Sequence, residues 1–165
     1  IDDYRPADLI REAVVIDVRA GAAEDSDFVF GLDDLERWER EHGEVPAGSV
    51  VLLATGWDRR WSSPREFLGL DERGGLHFPG FGVDVTRFLL ERRGISGIGI
   101  DTHGVDPGQD GSFRVNSLVL AERRIVLENL ANLDQLPATG ATLVIAPLKL
   151  EGGTGSPVRV FGLVR

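Results

Sequence analysis

Two apolar runs of strand length in this chain end abruptly in a carboxylate. Ile98-Gly99-Ile100 runs into Asp101 and then breaks at Thr102-His103-Gly104-Val105-Asp106-Pro107-Gly108. Ile125-Val126-Leu127 runs into Glu128, followed by the Asn129 to Pro137 turn. In open α/β sheets the C-terminal ends of strands face the crevice where ligands bind. A carboxylate there is held by the sheet and still reached by solvent, so Asp101 and Glu128 are the first candidates for chemistry. Glu128 has two readings, a functional group or a structural acceptor for the backbone of the turn from Asn129 to Leu133. Asp101 and Asp106 read more readily as loop organisers, short carboxylates that bond backbone N–H groups as Asx turns do.

The chain holds three histidines, His42, His77 and His103, and no cysteine. Thiolate metal sites are thereby excluded, and an all-histidine site is limited. His103 stands on a loop between two aspartates. A carboxylate beside it would raise its basicity and suit it to acid–base work; the alternative is an exposed loop histidine. His77 shares an aromatic stretch with Phe78 and Phe81 and reads as a packing or substrate-wall residue. His42 fits a helix C-terminus, where the dipole favours a cation. Trp57, Trp61, Phe67, Phe78 and Phe81 crowd into one irregular segment. They could wall a planar substrate or fill an interface between copies. Gly152 to Pro157 lacks the Gly-Lys-Ser/Thr ending of a phosphate loop and precedes a strand, not a helix.

The elements that position these residues follow from hydrophobic periodicity. Continuous apolar runs at 13–18 and 49–55 predict strands buried on both faces. Further strands are expected at 97–101, 125–128, 141–150 and 158–164, the last two as a hairpin. Pro147 places its strand at an edge or bulge. Helices are expected at 32–42, with Leu35 and Trp38 inward and Gly43 as C-cap, at 82–92, and at 112–123 with Ser112 as cap. A short helix starts at Pro6, 21–27 reads as a loop, and 57–82 as a long irregular segment. The fold class is α/β: a mixed sheet with about three helices in one domain over 165 residues.

A net charge of −9 argues against nucleic acid or an anionic membrane as partner. No apolar run approaches the ~20 residues of a membrane span, and no leader is visible. A cytoplasmic protein acting on a small molecule is the expectation.

Three motifs together resemble the cyclase-like metal-dependent hydrolases, a family that includes bacterial kynurenine formamidases and isatin hydrolases. They are Gly-Ile-Asp-Thr at Gly99 with Asp106-Pro107-Gly108, Glu128-Asn129-Leu130-Ala131-Asn132-Leu133-Asp134-Gln135-Leu136-Pro137, and Gly152-Gly153-Thr154-Gly155-Ser156-Pro157-Val158-Arg159. His77-Phe78-Pro79-Gly80 and Val51 to Trp57 extend the likeness over nearly the whole chain. The resemblance implies a swivelling β/β/α architecture, a homodimer, and hydrolysis of an amide or cyclic amide at a Zn or Mn centre. It matches Glu128 to a family ligand; on the hydrolase reading Glu128 would act as ligand or base, His103 as proton carrier, and Trp57, His77, Phe78 and Phe81 as the substrate wall.

The chain departs from the family pattern in two places. The family's N-terminal His-x-Gly-Thr-His-x-Asp motif is absent, so an N-terminal segment of the family is expected to lie outside these residues. Asn116 stands where the family has a histidine twelve residues before the glutamate. Imidazole suits Zn well and a neutral carboxamide poorly, so Asn116 and Glu128 alone would leave a metal ringed mostly by water. Two alternatives to hydrolysis stay open: a metal-less member kept as a binding or assembly module, and a pocket recruited for a metal-free ring closure.

Overall fold

In the computed structural model, which describes residues 1–164, the apolar runs become the inner strands of one sheet. The strands are β1 (Ile10–Asp17), β2 (Val29–Phe30), β3 (Val50–Ala54) and β4 (Gly80–Phe81). After them come β5 (Gly97–Ile100), β6 (Ile125–Leu127), β7 (Ala141–Pro147) and β8 (Val158–Leu163). Six of them form a mixed sheet in the order β6-β5-β3-β1-β7-β8, while β2 and β4 pair separately. β1, β3, β5 and β6 are parallel, and β7 and β8 return antiparallel as the expected hairpin. Every residue of β3 is buried, which is why its sequence is apolar without alternation.

The helices are α1 (Arg19–Glu24), α2 (Leu32–His42), α3 (Pro64–Leu68), α4 (Val83–Phe88) and α5 (Arg114–Leu120). α4 runs directly into a π turn, Leu89–Arg93, ended by Gly94 at φ +63°. Each crossover from β1 to β3, β5 and β6 steps the same way along the sheet, so the long helices gather on one face. Leu35 and Trp38 of α2, Val85 of α4 and Val115 and Val119 of α5 pack there against Val14, Ile16, Val51, Leu53, Ile98 and Ile100. The other face is covered by coil and 3-10 turns: Tyr4, Leu9, Leu130, Leu133 and Leu136 lie over Val15, Leu52, Leu127 and Leu143. No helix of the described residues is long and apolar enough to cross a membrane.

Four local expectations are corrected. The 21–27 loop begins only at Asp25, because Ala20, Ala22 and Ala23 favour helix and Val18 accepts from Ala22 N–H at 3.0 Å. The 57–82 segment contains a 3-10 turn at Trp57–Arg60 and the helix α3. Ser112 does not cap α5. It bonds Asp110, and Phe113 takes the cap position in the left-handed region at φ +52°. β7 is an inner strand, and Pro147 is tolerated because it is the last residue of that strand, where the ladder ends.

Gly97 marks the closest approach within the sheet, since a Cβ there would run into the Ile125 carbonyl of β6. Gly97→Ala is expected to destabilise the protein by ~1–3 kcal/mol through this overpacking. Urea unfolding should show a lower midpoint with unchanged slope.

Candidate functional site

The parallel register brings the C-terminal tips of β3, β5 and β6 side by side, and three carboxylates nearby have three different environments. Asp101, one residue past β5, is 2% exposed. It accepts from Thr55 N–H at 3.1 Å, Thr55 Oγ1 at 2.6 Å, Gly56 N–H at 2.7 Å and Trp57 N–H at 3.2 Å. Burial holds its carboxyl above the ordinary carboxylate value, against the smaller opposing pull of the Thr55 and Gly56 donors. It is a loop organiser as expected, but the loop it organises follows β3, not its own strand.

Asp106, 3% exposed, performs the same service for α5. Its carboxylate accepts from Val115 N–H at 2.5 Å and Asn116 N–H at 3.0 Å, filling the first turn of the helix. This aims the Asn116 side chain at Glu128, with Asn116 Nδ2 3.5 Å from Glu128 Oε1.

Glu128 is the exception among the three. The turn after it is satisfied by the neighbouring strand and its loop: Asn129 N–H donates to the Thr102 carbonyl at 2.8 Å and Leu130 N–H to that of Ile100 at 3.1 Å. No main-chain amide of the described residues clasps the Glu128 carboxylate, and Asn116 is its single hydrogen-bond neighbour. Half-buried, it borders a hollow of about 540 Å³ together with Tyr4, Leu9, Leu127, Ile145 and Ser156. The reading of Glu128 as an acceptor for its own turn is thereby corrected.

The remaining candidates do not line this hollow. Trp57 is buried, its indole N–H donating to the Phe67 carbonyl at 2.7 Å, and it packs with Phe67 and Phe78. The His103 ring lies 4.1 Å from that of Phe78 and 5.8 Å from that of Phe67. Its neighbours are rings and the Leu68 carbonyl at 3.4 Å, so the carboxylate partner expected to raise its basicity is not there. Phe81 is fully buried, edge-on to Phe30, and so belongs to the core and not to a substrate wall.

His77 sits between two carboxylates. Its Nδ1 is 2.8 Å from Asp27 Oδ2 and its Nε2 3.5 Å from Asp71 Oδ2. The Asp27 hydrogen bond holds its pKa above the ordinary value, against a smaller opposing effect of desolvation. Sequence reasoning missed this pairing, because fifty residues separate Asp27 from His77. It also missed a second ion cluster at the strand tips. Arg19 bonds Asp17 at 2.6 Å, and Arg19 and Arg59 reach Asp134 at 3.4 and 3.0 Å.

Among the described residues no three His, Cys, Asp or Glu side chains converge as a metal site. Glu128 and Asn116 offer one anionic and one neutral donor, short of the three protein ligands of an ordinary catalytic zinc. By themselves these residues do not make a complete metal centre.

Comparison with known proteins identifies the family to which the chain is similar. The Cyclase family model matches residues 1–107. The isatin hydrolase of Roseibium aggregatum is 43% identical over 160 residues, covering 94% of this chain. The chain spans 60% of the length of that relative. The structure of isatin hydrolase A from Ralstonia solanacearum superposes with a TM-score of 0.95 at 39% identity, over 99% of this chain and 64% of that one. A protein of Bacillus stearothermophilus described as a predicted metal-dependent hydrolase gives a TM-score of 0.65 at 26% identity, over 96% of this chain and 65% of that one.

Two outcomes test the electrostatics of this site. Asp101→Asn turns an NH2 group toward the donors of the Thr55–Trp57 turn, and a loss of ~2–4 kcal/mol is expected from chemical unfolding. His77, with its pKa raised above 6.5 by Asp27, stabilises the fold fully below that value and loses the contribution as pH rises through the raised one. NMR titration should place the His77 midpoint above 6.5, and Asp27→Asn should bring it back down.

Proposed function

The chain belongs to the Cyclase family, and on that premise we propose that it carries part of the active site of an amide hydrolase. The substrate class is a cyclic amide of the isatin type or an aryl formamide, opened at the C–N bond. The observation that carries the reading is Glu128: a carboxylate at a strand tip, free of main-chain clamps, facing a hollow of about 540 Å³. The names of the similar proteins support the same reaction class.

Hydrolysis of such a bond needs water to lose a proton as it attacks the carbonyl, and the departing nitrogen to gain one. Glu128 is the group that takes the proton from water and returns it. Asn116 donates its amide N–H toward Glu128 Oε1 and holds the carboxylate facing the hollow. Asp106 fixes Asn116 in turn by bonding its backbone N–H. The apolar walls from Leu9, Leu127 and Ile145 exclude bulk water around a planar ring. Zn or Mn is the metal class the family resemblance implies. The rest of its ligand set would come from residues beyond these or from a partner chain, and a homodimer accompanies the reading.

A second reading, a non-catalytic binding or assembly module, is favoured by Asn116 standing where the family has an imidazole. The two separate cleanly with the protein at its native length. Ring opening of isatin, followed by loss of its absorbance, is expected to fall by ~10²–10⁴-fold in kcat/KM in Glu128→Gln with the fold unchanged by circular dichroism. Chelation should abolish turnover, and added Mn²⁺ or Zn²⁺ should restore it. Protein that opens neither isatin nor an aryl formamide even after Mn²⁺ or Zn²⁺ is added would leave the second reading standing.

A further inference from the structure

At the N-terminal ends of β1, β5 and β6, away from the strand tips that carry the carboxylates, three guanidiniums converge on one acid. Arg5 grips Asp8 as a fork, Nε to Oδ2 at 3.1 Å and Nη2 to Oδ1 at 2.9 Å. Arg11 and Arg123 approach the same carboxylate only to 3.8 and 4.0 Å, beyond hydrogen-bond length. Three cations less one anion leave a surplus of two positive charges, in a chain whose net charge is −9. The hydrogen bonds of Arg5 hold the Asp8 carboxyl far below the usual carboxylate range, so it stays ionised and cannot relieve the surplus by any further change.

The side chains enclose a cavity of about 210 Å³ lined by Tyr4, Arg5, Asp8, Arg11, Ser96 and Arg123. That is room for roughly seven waters at ~30 Å³ each, or for one four-oxygen anion and a few waters. Arg11 Nη1 is spent on the Ala7 carbonyl at 3.1 Å, whereas Arg11 Nε is buried and has no hydrogen-bond partner. It is the sole buried side-chain nitrogen or oxygen of the described residues left in that condition. Arg123, half-exposed, lies over the Tyr4 ring at 5.1 Å, and the Tyr4 hydroxyl is anchored on the Arg124 carbonyl at 2.8 Å. One guanidinium is therefore anchored at the cavity wall with its Nη2 3.8 Å from Asp8, short of a hydrogen bond, and a second, half-exposed, borders the mouth.

We propose that this pocket binds a small oxyanion, a phosphate or a carboxylate group, held by Arg11 and Arg123 with Ser96 at its wall. Guanidinium forks match the geometry of such anions. Asp8 supplies the balancing charge that lets Arg5 and Arg11 sit close together before the ligand arrives. The site is separate from the proposed hydrolysis, although Tyr4 and Ile125 line both hollows.

Thermal unfolding of the full chain at constant ionic strength tests it, with chloride exchanged for inorganic phosphate in one arm and for acetate in another. Phosphate is expected to raise Tm saturably by ~3–5 °C over chloride. Arg123→Gln, at an exposed position, and Arg11→Lys, which keeps the charge but loses the fork, should each lose at least half of that rise. A rise with phosphate well above that with acetate assigns a phosphate ligand, and equal rises assign a carboxylate. No saturable rise with either anion, or an undiminished rise in both variants, overturns the proposal.

Discussion

The bond set of Asp101 is the constraint on which the strand-tip region depends. A carboxylate 2% exposed, with no cation paired to it among the described residues, is tolerable only where donors meet both of its oxygens. The Thr55–Gly56–Trp57 turn provides them, and in doing so the turn is bolted to the tip of β5. Gly56 sits at φ +76°, a backbone conformation that turns successive N–H groups toward one point and that side chains beyond glycine resist. Trp57 is carried inward by this turn to pack with Phe67 and Phe78, whose rings His103 lies against.

Asp106 and Glu128 show the same chemistry carried to different degrees. Asp106 spends both oxygens on the first turn of α5 and so orients Asn116. Glu128 meets a single weak donor and keeps its remaining acceptor capacity for whatever enters the hollow. Three carboxylates close to the same edge of the sheet are thus sorted by donor supply. Two build the scaffold, and the third is left with its valence open.

The one-way progression of the parallel strands decides where that hollow can lie. Because the long helices gather on one face, the other face near β6 and β7 is closed only by coil, the Tyr4 segment and the 154–158 turn. The antiparallel return of β7 and β8 brings Ile145, Pro147 and Val158 to its rim. β8 itself is the outermost strand, with Phe161 and Leu163 about half-exposed. The similar proteins are longer than this chain, which spans about 60% of the curated relative.

Much of the architecture is written locally and was legible in the residues. The apolar stretch of β3 is a buried strand because nothing polar interrupts it, and Gly43 and Gly94 end their helices where the left-handed conformation demands glycine. The mixed sheet and the β7–β8 hairpin follow from runs and turns a few residues apart, and the family likeness rests on short contiguous motifs. What the fold alone decided are the meetings at a distance. Asp101 finds Thr55 forty-six residues away, and His77 finds Asp27 fifty away. His103 sits against Phe78 and Phe67, not between the two aspartates that flank it in sequence. A carboxylate's role is set by how many donors surround it, and those donors come from other strands. The sequence names the groups that can ionise or ligate, whereas only the packed chain determines which are already satisfied.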